Sequence, residues 1–181
     1  MKQINLSNVQ ESTEYKTLPA GTYICKIVSA VDYPTEEYLK VTYDIAKGEY
    51  AGYYNDIRER HPDWTNVGNY RKYYTAKALP FFKRFCSAVS KSNQGYIFDG
   101  NINADEHTLA GKLFGLVLGN EQYYSNSGEK KMRLIECGEF PISEIDKQKV
   151  PAPKMLPADN ESAQNSYATA VADTSMEEVP Y

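Results

Sequence analysis

A regular alternation of side chains from Tyr38 to Ile45 is the feature that most constrains the fold of this chain. In an extended segment successive side chains point to opposite faces, so this pattern gives one apolar face and one polar face. The apolar face carries Leu39, Val41, Tyr43 and Ile45, and the other face carries Tyr38, Lys40, Thr42 and Asp44. We therefore predict a strand at residues 38–45 that pairs with neighbours and covers a core on one side.

Further strands are predicted on both sides of this segment. The turn sequence Leu18-Pro19-Ala20-Gly21 precedes a run rich in β-branched and aromatic residues, 22–31, which ends at Asp32-Tyr33-Pro34. After a turn at Lys47-Gly48-Glu49, we predict a third strand from Tyr50 to Ile57, in a hairpin with the second. The stretch from His61 to Tyr74 is predicted to be irregular.

A helix and a final hairpin complete the predicted domain. Leu79, Phe82, Cys86 and Val89 recur at intervals of three and four, which predicts a helix over 78–91 with Pro80 in its first turn. An apolar run at 112–124 is followed by a turn at 126–128 and a returning segment at 131–137, which is typical of a hairpin.

The order of these elements predicts the fold class. Three strands, a helix and two strands is the order of a five-stranded OB barrel, in which the helix lies between strands 3 and 4. We therefore predict a mainly β chain with an OB-like barrel. Other small α+β folds have the same order and remain the alternative.

Composition divides the chain into an N-terminal arm (1–17), a domain (18–149) and a tail (150–181). The tail contains three prolines near its start and then small and polar residues without apolar periodicity, which predicts disorder. It has one lysine against five acids, so it carries the whole net charge of −4.

Several features point to a reduced, cytoplasmic environment. Cys25, Cys86 and Cys137 are odd in number and far apart, which favours core thiols over a disulfide framework or a zinc site. The sequence has no signal peptide pattern and no run of the roughly 20 apolar residues that a membrane span needs. We therefore expect a cytoplasmic protein without membrane contacts.

The segment from Trp64 to Lys91 combines cations and rings in an unusual way. It contains six cations and seven aromatic residues and no acid in twenty-eight residues. Single-stranded nucleic acid calls for this combination, because cations follow the phosphates while rings stack on unpaired bases. The alternative is an ordinary solvated helix face.

Other surface candidates lie on the polar face of the second strand, on the predicted third strand and at the tip of the last hairpin. Rings and cations again occur together there, although a solvated turn is the alternative for the hairpin. The candidate nucleic-acid-binding residues are Tyr38, Lys40, Tyr53, Tyr54, Trp64, Tyr70, Arg71, Lys72, Tyr73, Tyr74, Lys77, Arg84, Tyr123, Tyr124, Lys130, Lys131 and Arg133.

The sequence offers little for catalysis. His61 and His107 are isolated from cysteines and carboxylates at metal-ligand spacing, and no nucleophile elbow or phosphate-binding glycine loop is present. We expect no enzymatic activity, no cofactor and no metal site.

The C-terminal tip combines acids, a proline and a terminal ring. This pattern suits a partner pocket with an apolar floor and a basic rim. The tip resembles the acidic tails of bacterial single-stranded DNA-binding proteins, with Tyr181 where phenylalanine is usual and a short acid run; as an alternative, it is only the end of a disordered tail. The candidate partner-binding residues are Glu177, Glu178, Val179, Pro180 and Tyr181.

The domain is similar to the single-stranded DNA-binding proteins of phages, prophages and conjugative elements. The resemblance extends over residues 18–145 and rests on four features: Leu18-Pro19-Ala20-Gly21-Thr22-Tyr23, Glu37-Tyr38-Leu39-Lys40-Val41, the aromatic basic helix, and Ala110-Gly111-Lys112. It implies a protein that coats and protects unwound DNA without sequence specificity and delivers it to recombinases or replicases.

The expected partners are therefore single-stranded DNA and, through the tip, a replication or recombination protein. The alternative function is a protein-interaction or virion-structural module that uses a tyrosine-rich face. The sequence leaves the oligomeric state open, with a homo-oligomer among the alternatives.

Overall fold

A five-stranded antiparallel sheet forms the centre of the chain in the computed structural model, which describes residues 3, 5, 7, 16–100 and 104–157. The strand order is β3-β2-β1-β4-β5. The strands are β1 (Gly21–Tyr33), β2 (Tyr38–Ile45), β3 (Asn69–Tyr73), β4 (Leu113–Tyr124) and β5 (Lys130–Phe140). The described residues also form helices α1 (Tyr53–Arg60), α2 (Leu79–Ser92) and α3 (Ile142–Ile145). The prediction of a mainly β fold with a helix between strands 3 and 4 is confirmed.

The predicted alternation along β2 is also confirmed. Its four apolar residues all belong to the buried core. β1 is longer than predicted and ends at Tyr33, and β5 extends to Phe140. Pro80 lies in the first turn of α2, where its missing N–H interrupts no helical hydrogen bond.

The predicted third strand at Tyr50–Ile57 is wrong. Residues 53–60 form α1, and β3 lies at Asn69–Tyr73, within the stretch predicted to be irregular. β3 pairs with β2 in an antiparallel register that sets Tyr73 opposite Tyr38 and Arg71 opposite Lys40.

A buried carboxylate explains why this segment is helical. Asp44 Oδ1 accepts hydrogen bonds from the N–H groups of Ile45 at 2.8 Å and Tyr54 at 2.9 Å, so β2 itself satisfies a free donor in the first turn of α1. Gly52, with φ of 82°, makes the turn that precedes the helix. The inward residues of this segment follow helical spacing and are Tyr50, Tyr53, Tyr54 and Ile57.

The core lies on the inner side of the sheet, where α2 packs. Phe85 on α2 contacts Phe114 on β4 edge to face, with ring centroids 6.1 Å apart. Of the cysteines, Cys25 and Cys86 are buried as predicted, whereas Cys137 is only partly buried, and all three are free thiols.

An ion pair joins the two edge strands. Lys72 Nζ on β3 lies 2.6 Å from Glu139 Oε1 on β5, and these side chains are only 11% and 2% exposed. Arg84 Nη2 on α2 lies 3.5 Å from the other oxygen of the same carboxylate. The edges of the sheet are thus held near each other by side chains at this end.

The first part of the predicted tail runs beside β4. Gln122 N–H donates to Lys154 O at 2.8 Å, and Lys154 N–H donates to Asn120 O at 2.9 Å. These contacts occupy the part of the β4 edge beyond Leu118, where its pairing with β1 ends. Residues 158–181 lie outside the described residues.

The Lys72–Glu139 pair yields a stability prediction. Lys72→Met should lower the free energy of unfolding by about 3 kcal/mol, because Glu139 would lose its closest partner while it stays buried. Urea denaturation measures the change. Lys16→Ala is the matched control, because the Lys16–Glu49 pair is exposed and should contribute less than about 1 kcal/mol. Equal effects of both substitutions would contradict the importance of this contact.

Candidate nucleic-acid interface

Three tyrosines and two cations lie together on the outer face of β1, β2 and β3. The register sets Tyr33 opposite Tyr38, and Tyr38 opposite Tyr73, so the three rings form one row across three strands. Lys40 and Arg71 form the next outward-facing pair along β2 and β3. We call these five residues the tyrosine face.

The rings of the tyrosine face are in mutual contact. Tyr33 and Tyr38 are stacked, with centroids 4.8 Å apart and planes at 17°, and Tyr73 is tilted against Tyr38 at 5.4 Å. Arg71 Cζ lies 4.9 Å from the centroid of the Tyr38 ring, within the range of a cation–π contact. Arg71 also donates a hydrogen bond of 3.5 Å to the Tyr73 hydroxyl.

The exposure of these rings separates their roles. Tyr38 is only 9% exposed because its neighbours cover it, whereas Tyr73 is 42% exposed. Tyr38 therefore supports the row, and Tyr73 presents a ring surface to the solvent. Tyr33, which is not among the candidates predicted from the sequence, belongs to the same row. The alternation of the first strand continues from Val31 to Tyr33, past the predicted strand end, and was the signal for it.

The charge on this face is uneven. Arg71 is exposed and Lys40 is partly exposed, and they lie side by side. Glu36 and Glu37 are exposed in the turn between β1 and β2, beside Tyr33 and Tyr38. A phosphate would therefore be attracted to the Lys40–Arg71 end and repelled at the turn.

Two other candidates on β3 face inward, because strand side chains alternate. Lys72 is engaged with Glu139, and the Tyr70 ring lies 5.6 Å from that of Tyr43 in the core. Burial raises the pKa of Tyr70 well above its usual value. The prediction that residues 70–74 form a loop is wrong for 70–73, which lie in β3.

The candidates between β3 and the end of α2 do not join the tyrosine face. The Tyr74 hydroxyl donates to Asp32 Oδ1 at 2.7 Å; partial burial, followed by this hydrogen bond, raises the pKa of Tyr74 to about 12. Arg84 contacts Glu139, and its Cζ lies 5.6 Å from the centroid of the Phe81 ring. Lys77 is exposed just before α2.

Helix α1 and the loop after it carry three further candidates. Tyr53 and Tyr54 lie on the helix instead of a strand and pack partly buried against the core. Trp64 is 54% exposed and stacks on His61, with ring centroids 4.1 Å apart and planes at 12°.

The β4–β5 hairpin holds ring and cation pairs close together. Arg133 Cζ lies 5.2 Å from the centroid of Tyr123, and Lys130 Nζ lies 5.8 Å from that of Tyr124. Arg133 is also paired with Glu121 at 2.6 Å, and Lys131 with Glu129 at 3.2 Å. These acids reduce the positive charge that the hairpin offers to a phosphate.

The C-terminal candidates, Glu177, Glu178, Val179, Pro180 and Tyr181, lie outside the described residues. Within the described residues, no cluster of three or more His, Cys, Asp or Glu side chains is arranged to hold a metal ion. None of the helices described is both long and apolar enough to cross a bilayer.

Comparison with known proteins gave no match, either to models of protein families or to curated sequences.

The alternation along β3 predicts opposite behaviour for two tyrosines. Tyr70→Ala should lower the free energy of unfolding by about 3 kcal/mol, because it removes a ring that packs against the core beside Tyr43. Tyr73→Ala should lower it by no more than about 1 kcal/mol, because that ring lies on the surface. Chemical denaturation of the two variants measures both values, and a larger loss for Tyr73→Ala would show that this register is wrong.

Proposed function

We propose that this chain binds single-stranded DNA through the tyrosine face, without sequence specificity. The observation that carries the proposal is the row of Tyr33, Tyr38 and Tyr73 beside Lys40 and Arg71. Rings that stack on bases, next to cations that neutralise phosphates, are the means by which proteins hold unpaired strands. Tyr73 is the exposed stacking ring, and Lys40 and Arg71 are the phosphate contacts.

We propose in addition that the five strands form an OB-like barrel. The strand order and the helix between β3 and β4 support this, as does the Lys72–Glu139 contact between the two edge strands. In an OB-fold the face of strands 2 and 3 binds oligonucleotides. The tyrosine face centres on those same strands, which supports the proposed function independently of composition.

The biological setting follows from the resemblance of residues 18–145 to the single-stranded DNA-binding proteins of phages and mobile elements. On this proposal the chain coats and protects unwound DNA in the cytoplasm during replication or recombination. The binding itself requires no bond to be made or broken, so the proposal includes no enzymatic step and no cofactor.

We also propose that the C-terminal tip recruits a replication or recombination protein. The acids Glu177 and Glu178 would meet basic residues of the partner, and Tyr181 would fill an apolar pocket. The tail leaves the domain beside β4, where Lys154 is hydrogen-bonded to Asn120 and Gln122.

The separation of stacking from charge generates a binding prediction. Tyr73→Ala should weaken binding of an oligothymidylate by about 1–3 kcal/mol and leave its salt dependence unchanged, because a stacking ring carries no charge. Lys40→Ala combined with Arg71→Ala should weaken binding and also reduce the log–log salt slope by about 1.4, at roughly 0.7 per phosphate contact. Fluorescence anisotropy over a salt series measures both effects.

Lys77→Ala is the control for this experiment, because Lys77 is exposed and lies outside the tyrosine face. Lys77→Ala should change the affinity for the oligothymidylate and the salt slope less than the Lys40 and Arg71 substitutions do. If wild-type protein binds duplex as tightly as single strands, or binds neither, the proposal is wrong. Capture of a protein partner through Tyr73 and Arg71 in that case would favour the protein-interaction module.

The tail gives a second prediction. Deletion of residues 173–181 should leave affinity for oligothymidylate unchanged or slightly higher at low salt, because it removes acids and no part of the tyrosine face. The same deletion should abolish recovery of replication or recombination proteins in a pull-down from bacterial lysate. Recovery of the same proteins with and without residues 173–181 would refute a role for the tip.

A further inference from the structure

A groove opens between the beginning of β3 and the first half of β5. Its volume is about 650 Å³, and α1 and the loop before β3 form one side of it. Met132 and Leu134 on β5 form part of the other side. The Lys72–Glu139 contact lies farther along the same two strands, so it limits the groove at that end.

One wall of the groove carries a flat aromatic surface. Trp64 lines the groove and stacks on His61, which fixes the plane of the indole. Because His61 covers one ring face, the exposed area of Trp64 belongs to its other face and its edges. On the β5 side, Met132 is exposed and offers a polarisable side chain that adapts to a flat ligand.

The groove is lined by asparagines, a carboxylate and one cation, Arg133, whose guanidinium is paired with Glu121. Because that charge is offset, the polar groups of the groove match the edge of a base better than a phosphate. Asn66, Asn69 and Asn120 line the groove, and an amide side chain has both donors and an acceptor. The amide of Asn69 already donates one hydrogen bond, to Thr65 O at 2.9 Å. Glu136 also lines the groove, and its carboxylate accepts a hydrogen bond of 3.2 Å from Tyr43. A carboxylate at this position repels a phosphate but can accept hydrogen bonds from a base.

One residue of β3, Asn69, relates the groove to the tyrosine face. Asn69 lines the groove and also lies on the outward side of β3, in the same row as Arg71 and Tyr73. Asn69 lies four positions from Tyr73 along β3, a distance of about 13 Å. Single-stranded DNA that follows β3 from the tyrosine face to Asn69 therefore reaches the edge of the groove.

We propose that this groove is a second base-binding subsite, which accepts one unstacked base of the strand held by the tyrosine face. The base stacks on Trp64 and places its edge against the asparagines. The phosphates of the DNA backbone remain outside the groove, away from Glu136. This inference rests on the proposed function and adds a separate site to it. The amides can pair with any base, so the subsite holds the strand without selecting a sequence.

Oligothymidylates of increasing length provide the first test on the full chain. A short oligomer can occupy the tyrosine face alone, so Trp64→Ala should leave its affinity unchanged. A longer oligomer also reaches the groove, and Trp64→Ala should weaken its binding roughly 5- to 150-fold, the value of one stacked base. Trp64→Phe keeps a ring and should recover most of that loss, and thermal unfolding should show that both variants stay folded.

Photocrosslinking locates the base directly. A long oligothymidylate with 5-iodouracil at single positions should crosslink to Trp64 or Met132 from one set of positions and to Tyr73 from another. The crosslinked peptides are identified by mass spectrometry. Glu136→Gln should retain the Trp64 crosslink, because the amide still presents an acceptor oxygen.

The outcomes separate this inference from the proposed function. Binding that depends on Tyr73 but not on Trp64 at any oligomer length, with crosslinks only to the tyrosine face, would overturn the groove subsite and leave the proposed function standing. Absence of single-strand binding by the wild-type chain would overturn both.

Discussion

The alternation of side chains between the two faces of β2 and β3 is the constraint on which the core and the candidate interface both depend. The inward residues of β2 enter the core, and the outward residues Tyr38 and Lys40 belong to the tyrosine face, whereas Asp44 is buried and accepts a hydrogen bond from α1. A register slip of one residue would exchange these faces, so burial of the apolar set also positions the tyrosine face. Stability and binding are therefore coupled through the pairing of these strands.

The same alternation decides how the basic residues of the chain are used. Arg71 faces outward beside Lys40, whereas Lys72, the next residue, enters the interior and pairs with Glu139. Arg84 also contacts Glu139. Cations that are equivalent in composition thus divide into two groups, one available to a phosphate and one that links the edge strands to each other and to α2.

Local sequence was enough to predict the elements whose pattern of apolar residues is typical of one kind of secondary structure. β2, the β4–β5 hairpin and α2 could be predicted because β2 alternates, β4 is a continuous apolar run before a turn, and α2 repeats apolar residues every three or four positions. The segment 50–57 has strand-forming tyrosines, yet the same residues fit helical spacing. The choice depends on Asp44, whose carboxylate receives the Tyr54 N–H, and that contact exists only once β2 is in place.

The sequence by itself determined a β-rich domain, a tyrosine-rich and basic segment, and an acidic tail, because periodicity and composition act over a few neighbouring residues. Only the tertiary structure decided which side chains meet. Tyr33, Tyr38 and Tyr73 come from three strands and touch because the register of the sheet aligns them. The groove beside Trp64 likewise joins α1 and β3 to β5, which is far from both along the chain. Such contacts depend on long-range pairing, and no local pattern encodes that pairing on its own.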